Sequence, residues 1–231
     1  MSLRAKASAV ALAVLACLLL TPAAMASSGP VQVTGRQLKT ALLPASDFVA
    51  GYTSTDESDS GRHLEHAILF SLRSMSCSKF WLFSGQVAGF GETAFATNLV
   101  EDKTGRLNPQ ETFVQSIYQF ASTRAAASFY AELLGKYRSC RSASEPGGSG
   151  KTVRETLHSE STLRVGGHQA SQVIEYVTAS GTPGPPLAFY LLWTIDGTDV
   201  YWISTAPDFG SPQPPQSSLT LKLIARVSAL R

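Results

Sequence analysis

Apolar positions along the chain fall into two periods, and the switch between them sets the architecture. Residues 93–101, after GFGET, and residues 111–121, ETFVQSIYQFA, have strand character. The period then lengthens. In STRAAASFYAELLGKYRSC, residues Ala126, Phe129, Tyr130, Leu133 and Tyr137 recur at helical spacing, with Ser122 or Thr123 as the N-cap. TVRETLHSE and HQASQVIEYVTA alternate again. LAFYLLWTI is apolar almost throughout, as in a central strand covered on both faces. DVYWISTA pairs back across the Asp196-Gly197 turn, which Thr198 lengthens if it joins the loop. A last helix starts near Ser217 or Ser218, with Leu219, Leu223, Val227 and Leu230 as its buried stripe.

The punctuation is legible too. Thr34 and Gln37 form a capping box, and the helix it opens stops before Pro44. ASDFVAGYTSTDESDSG reads as an exposed polar loop; its acidic run Asp56-Glu57-Asp59 lacks the spacing of a calcium loop. Residues 62–84 look partly helical, SEPGGSG is a flexible connection, and Pro207 to Pro215 is a loop within the domain. The expected fold is α+β: a single twisted, mostly antiparallel sheet of about six strands packed against several helices.

The amino terminus changes the compartment. Arg4 and Lys6 precede an apolar run to Leu20, and Ala24-Met25-Ala26 follows. This is the order of a cleavable secretory signal over residues 1–26, leaving 27–231 as one domain. Val14-Leu15-Ala16-Cys17 offers a rival, a lipobox with a lipid anchor on Cys17. Arg4 and Lys6 are the only charges in residues 1–26, so the remainder balances 17 Lys+Arg against 17 Asp+Glu. A neutral chain has no electrostatic footprint for nucleic acid. The expected location is secreted or extracellular, with a cell-envelope lipoprotein as the alternative.

Outside the signal, two cysteines remain, Cys77 and Cys140. In an oxidising compartment such a pair bonds, closing a loop of about 60 residues. A thiolate nucleophile needs a histidine or a helix amino terminus beside it, and no protease-type signature surrounds either cysteine. His63 and His66 share one helix face but lack further metal ligands; His158 and His168 read as solvated side chains. No G-x-S-x-G is present. Glycosidase carboxylates need not lie close in sequence, and Glu92, Glu155 and Glu175 are the nearest candidates. No cofactor or metal is implied.

VTGRQLKTALLPASDFVAGY, SCSKFW, GFGETA and YQFASTRAAASFYAELLGKYRSC together resemble the PknH-like extracellular sensor domains of actinobacterial envelope proteins. From Lys151 onward the resemblance rests on the order of elements. It implies an α+β fold, a cleft between helices and sheet that receives an unidentified ligand, and a bond between Cys77 and Cys140. The strands offer Gln115, Tyr118, Gln119, Glu175, Tyr190 and Thr194 as ligand-binding residues for such a cleft. The expectation is a non-enzymatic sensor-like domain whose partner is a small molecule, an envelope component or a protein. A hydrolase using carboxylates or histidines, and an interaction module without a small ligand, are the alternatives.

Overall fold

The computed structural model describes residues 31–48, 53–54, 59–62, 72, 75–83, 91–101, 112–146, 150–206 and 215–231. Residues 1–30, which include the expected signal and Cys17, together with His63, His66, Asp56, Glu57 and the stretch 207–214, lie outside these residues. Residues Gln32–Arg231 form one compact unit.

The helices are α1 (Gly35–Ala41), α2 (Cys77–Phe83), α3 (Thr123–Ser139) and α4 (Gln216–Ser228). The strands are β1 (Thr53–Ser54), β2 (Asp59–Arg62), β3 (Ala94–Glu101), β4 (Thr112–Gln119), β5 (Ser142–Pro146), β6 (Thr152–Val165), β7 (His168–Ala179), β8 (Leu187–Asp196) and β9 (Asp199–Ala206). They form one antiparallel sheet in the order β1-β3-β4-β9-β8-β7-β6-β5, with β2 also on β3. The α+β class and the antiparallel sheet are as expected, and β3, β4 and β6–β9 are the six anticipated strands. The short strands β1, β2 and β5 bring the total among the described residues to nine. They fall where a loop, the start of a helical stretch and a flexible connection were expected. Edge pairing uses main-chain groups, so polar, Ser-rich segments can join without an apolar period.

Local signals hold at the helix ends. The Thr34 hydroxyl accepts from the Gln37 N–H at 3.2 Å, and the Gln37 carboxamide oxygen accepts from the Thr34 N–H at 2.8 Å. Ser122 caps α3 by accepting from the Ala125 N–H at 3.1 Å. At the C-terminus of α1 the open carbonyls of Thr40 and Ala41 accept from the Arg226 guanidinium of α4, both at 2.8 Å. The β6–β7 turn is the pair Gly166-Gly167, at φ +58° and +89°, a left-handed pair that favours glycine and suits a two-residue hairpin. Thr198 joins the β8–β9 turn: Asp196 pairs with Asp199, so the two-residue loop is Gly197-Thr198 and Asp196 belongs to the strand.

Strand alternation divides the core between two faces. On β9, Tyr201 and Ile203 point to one face, where α1 and α4 supply Leu38, Ala41, Leu219, Leu223 and Val227. Val200 and Trp202 point to the other, beneath α3 and α2. All eight β9 residues are buried, whereas Leu187–Tyr190 of β8 are half-buried. The strand covered on both faces along its whole length is therefore β9. Its polar members Asp199, Ser204 and Thr205 hide this from an apolar count.

Cys77, at the first residue of α2, is bonded to Cys140, just after α3. Arg138 adds a bidentate pair to Glu160 of β6, at 2.6 and 2.9 Å. The disulfide closes a loop of 63 positions. Replacing both cysteines by serine should cost about 4 kcal/mol on the chain-entropy account. Urea unfolding of the double variant beside the parent checks this; an unchanged midpoint contradicts it.

Candidate functional site

The face of the sheet under α3 carries the chemistry. α3 lays Phe129, Tyr130, Leu133 and Tyr137 onto Phe95, Tyr118, Val173, Trp193 and Trp202. The rings are ordered. Trp193 stacks on Trp202 at 5.2 Å and 7°, Tyr118 lies 6.3 Å from Trp193, and Phe80 of α2 meets the edge of Tyr137 at 4.9 Å. Tyr130 donates to the Ser171 hydroxyl at 3.0 Å.

Within this apolar layer lies a carboxyl group. Glu175 of β7 is 5% exposed, and its Oε1 has no hydrogen-bond partner. The Tyr137 phenol lies beside the Trp193 indole and the Glu175 carboxyl. Burial, and then the charge of Glu155 on β6, push the Glu175 acid up to about 8. Burial followed by Glu175 raises the Tyr137 phenol well above its ordinary value. Glu175 is therefore largely protonated at neutral pH, a neutral acid able to donate a hydrogen bond. Half-buried Glu155 is itself raised, by burial and then by Glu145 of β5.

Beside α3 the surface is indented. One hollow of about 270 Å³ is lined by Leu72, Gly91, Phe120, Ala125, Ser128, Phe129 and Glu132. A second of about 440 Å³ runs along Ser128, Ala131, Glu132, Gly135, Lys136 and Ser139. Both take Ser128 and Glu132 as walls, so they flank the same stretch of helix.

The six residues anticipated for a cleft do not line one space. Tyr118 and Glu175 lie under α3. Gln115, Gln119, Tyr190 and Thr194 alternate onto the α1/α4 face. There Gln115 serves as a clamp: its Oε1 accepts from the Leu43 N–H at 2.9 Å, and its Nε2 donates to the Leu43 carbonyl at 2.7 Å. Gln119 accepts from the Val33 N–H at 3.0 Å and donates to Asp199 at 3.5 Å. The main-chain carbonyl of Tyr190 accepts from Gln216 at 2.7 Å. Thr194 is fully buried. Two residues outside those six join the α3 side: Tyr137, read as core stripe, and Glu155, read as a candidate hydrolase carboxylate. Helical spacing placed Tyr137 on the inner stripe, but only strand register brings Glu175 beneath it.

The other titratable groups scatter. Exposed His158 stands at the β6 bulge and stacks on Tyr176 at 4.4 Å. His168 lies 3.3 Å from Asp196. Glu92 is buried. Asp199, fully buried on the α1/α4 face, binds Arg231 at 2.5 Å and Gln119. Among the described residues, no three His, Cys, Asp or Glu side chains group to hold a metal.

No family model and no curated protein matches the chain. Among solved structures, the extracellular domain of PknH from Mycobacterium tuberculosis aligns with 87% of this chain and 100% of its own, at a TM-score of 0.59 and 15% identity. The chain has the PknH-like sensor-domain fold. A putative uncharacterized protein from Mycobacterium smegmatis, the Rv0999 ortholog, aligns with 84% of this chain and 94% of its own, at a TM-score of 0.40 and 11% identity. In this fold the long helix and the sheet face with Glu175 enclose the most unusual chemistry among the described residues. No described helix is long and apolar enough to cross a membrane.

Two outcomes follow. Gln115→Ala leaves both polar groups of Leu43 buried without partners and should cost about 2–4 kcal/mol, measured by urea unfolding. For Glu175, the folded acid binds its proton more tightly than the unfolded one, whose ordinary value is 4.5. Its stabilising contribution is full below that value and fades as pH rises towards 8, at most by about 1.4 kcal/mol per pH unit. Melting temperature should therefore fall between pH 5 and 8.5, and Glu175→Gln should flatten that slope. Equal slopes in parent and variant refute the assignment.

Proposed function

We propose that the chain is a secreted, non-enzymatic sensor-like domain that binds a ligand against α3 and the sheet face beneath it. The observation that carries this reading is the polar group left inside an otherwise apolar layer. A carboxyl oxygen without a partner costs more than the Trp193 and Trp202 N–H groups that are also unpartnered in this layer, because an acid must either keep its proton or bury a charge. The hollows beside α3 provide a surface next to that layer. The resemblance in fold to an extracellular sensor domain and the signal-like start agree with a role outside the cell.

Thermal melts of the full chain with fractionated envelope extracts test this. A ligand that binds only the folded state, at 100 times its Kd, stabilises by about 2.7 kcal/mol. For a domain of this size that is a rise of roughly 5–10 °C. Ser128→Trp, which fills the hollows from the exposed side of α3, should abolish the rise and leave the ligand-free melt near the parent's. Melts unmoved by every fraction exclude the ligand reading. A second reading, an envelope-acting hydrolase, draws on the adjacency of Glu155 and Glu175. Turnover lost in Glu175→Gln with the fold intact supports it.

A further inference from the structure

Three glutamates run across the sheet on the α3 face, one from each of three neighbouring strands. Ala143 of β5 pairs with Glu155 of β6, and Glu145 lies two positions further along β5. Leu157 pairs with Glu175 of β7, and Glu155 lies two positions before it on β6. Successive glutamates are thus diagonal cross-strand neighbours, roughly 7 Å apart. Side chains so placed repel when ionised, so Glu175 keeps its proton, and full ionisation of the row calls for a counter-charge. Yet none of the three forms an ion pair among the described residues. At this end of α3, Arg138 is bound to Glu160 and Lys136 donates to the Met75 carbonyl at 2.6 Å, while exposed Arg141, whose main chain pairs with Leu157, forms no ion pair among the described residues.

The inner end of the row supplies the second observation. Glu175 is more than nine-tenths buried, its Oε1 is unpartnered, and it is coupled by charge to Glu155. The groups facing it are Tyr137 from α3 and Glu155 from β6, with Trp193 and Tyr118 bordering Tyr137; Glu145 lies beyond Glu155. Glu145 and Glu155 are only half-buried, so the row opens at the sheet edge and ends on a buried acceptor. Partly buried Ala143, Leu157 and Phe189 flank it with apolar surface.

From this geometry we infer that Glu145, Glu155 and Glu175 form a binding row for a linear di- or polyamine. Ammonium groups lie along the carboxylates, and the intervening methylenes lie on Ala143, Leu157 and Phe189. A row does not close around a small ion, in keeping with the absence of a metal-holding group among the described residues. Short alkyl spacers between ammonium groups span the distance between diagonal carboxylates. Each ammonium donates to a carboxylate, so the innermost contact requires Glu175 to give up its proton to solvent. This assignment rests on the reading of the α3 face as the ligand site and places the amine at the sheet-edge end of that face, where none of the three glutamates lines the hollows at Ser128 and Glu132.

Spermidine is the probe, added to the full chain with its disulfide intact at pH 7. Butylamine, and sodium and magnesium chloride at matched ionic strength, are the comparisons. Spermidine should raise the melting temperature, and butylamine should bind at least tenfold more weakly. Calorimetry in buffers of different ionisation enthalpy should show about one proton released per spermidine bound. Glu155→Gln should weaken binding at least tenfold, and Glu145→Gln, at the sheet edge, by a smaller factor. Glu175→Gln matches the shape of the protonated acid and should abolish proton release. Magnesium chloride reproducing the spermidine effect overturns the assignment, as does unchanged binding in both Glu155→Gln and Glu145→Gln. If spermidine has no effect while an envelope fraction raises the melting temperature, the amine assignment falls and the ligand reading stands. If neither has an effect, both fall.

Discussion

The architecture depends on one helix crossing the sheet. After β4 the chain must reach the far edge, where β5 begins, five strand spacings away. Five spacings are about 24 Å, and a helix of 17 residues is about 25 Å long. α3 has the length to make that journey in one straight piece. From β5 the chain returns as a meander, β5 to β9, until β9 closes onto β4. The disulfide and the Arg138–Glu160 pair fasten the arriving end of the helix. Everything placed under α3, including Tyr137 and Glu175, is held by that crossing.

The two faces treat a buried carboxyl in opposite ways. Asp199 has a guanidinium and an amide beside it, so its desolvation is partly offset by a counter-charge. Burial still raises its acid above the ordinary value, with Arg231 pulling it back. Glu175 has a phenol and another carboxylate for neighbours, and it answers burial by keeping its proton. The α1/α4 face is thereby an assembled scaffold, in which Gln115, Gln119 and Arg226 bind main-chain groups or charges. The α3 face contains a group whose state responds to what lies next to it. That asymmetry, and not the fold, bears on function, since one fold serves many roles.

Long elements were legible because period and length agree in them. The Ala126–Tyr137 stripe, the capping box at Thr34 and the six long strands each carry their own signal. The short edge strands β1, β2 and β5 do not, since their membership is a matter of main-chain pairing. The candidate site was legible only in part. Alternation separates the inner residues of one strand from its outer residues, but it does not phase one strand against the next. Gln115 on β4 and Glu175 on β7 look equivalent by that rule, yet they occupy opposite faces. Register decides this, and register comes from partners far away in the chain. Glu155 stood among the candidate carboxylates but outside the ligand-binding set for the same reason.

The β4–β9 ladder has a consequence for how the molecule is reached. At its Gln119–Asp199 end it joins residues 80 positions apart, and the separation grows towards Thr112–Ala206. Such distant pairing places the fold among slow, high-contact-order topologies. Before it forms, the β3–β4 pair and the β5–β9 meander each expose a strand edge with Val, Ile and Tyr, β9 adding Trp202. Self-association of the nascent chain competes at those edges, and the crossing helix, laid down between the two pieces, shortens the time they spend apart.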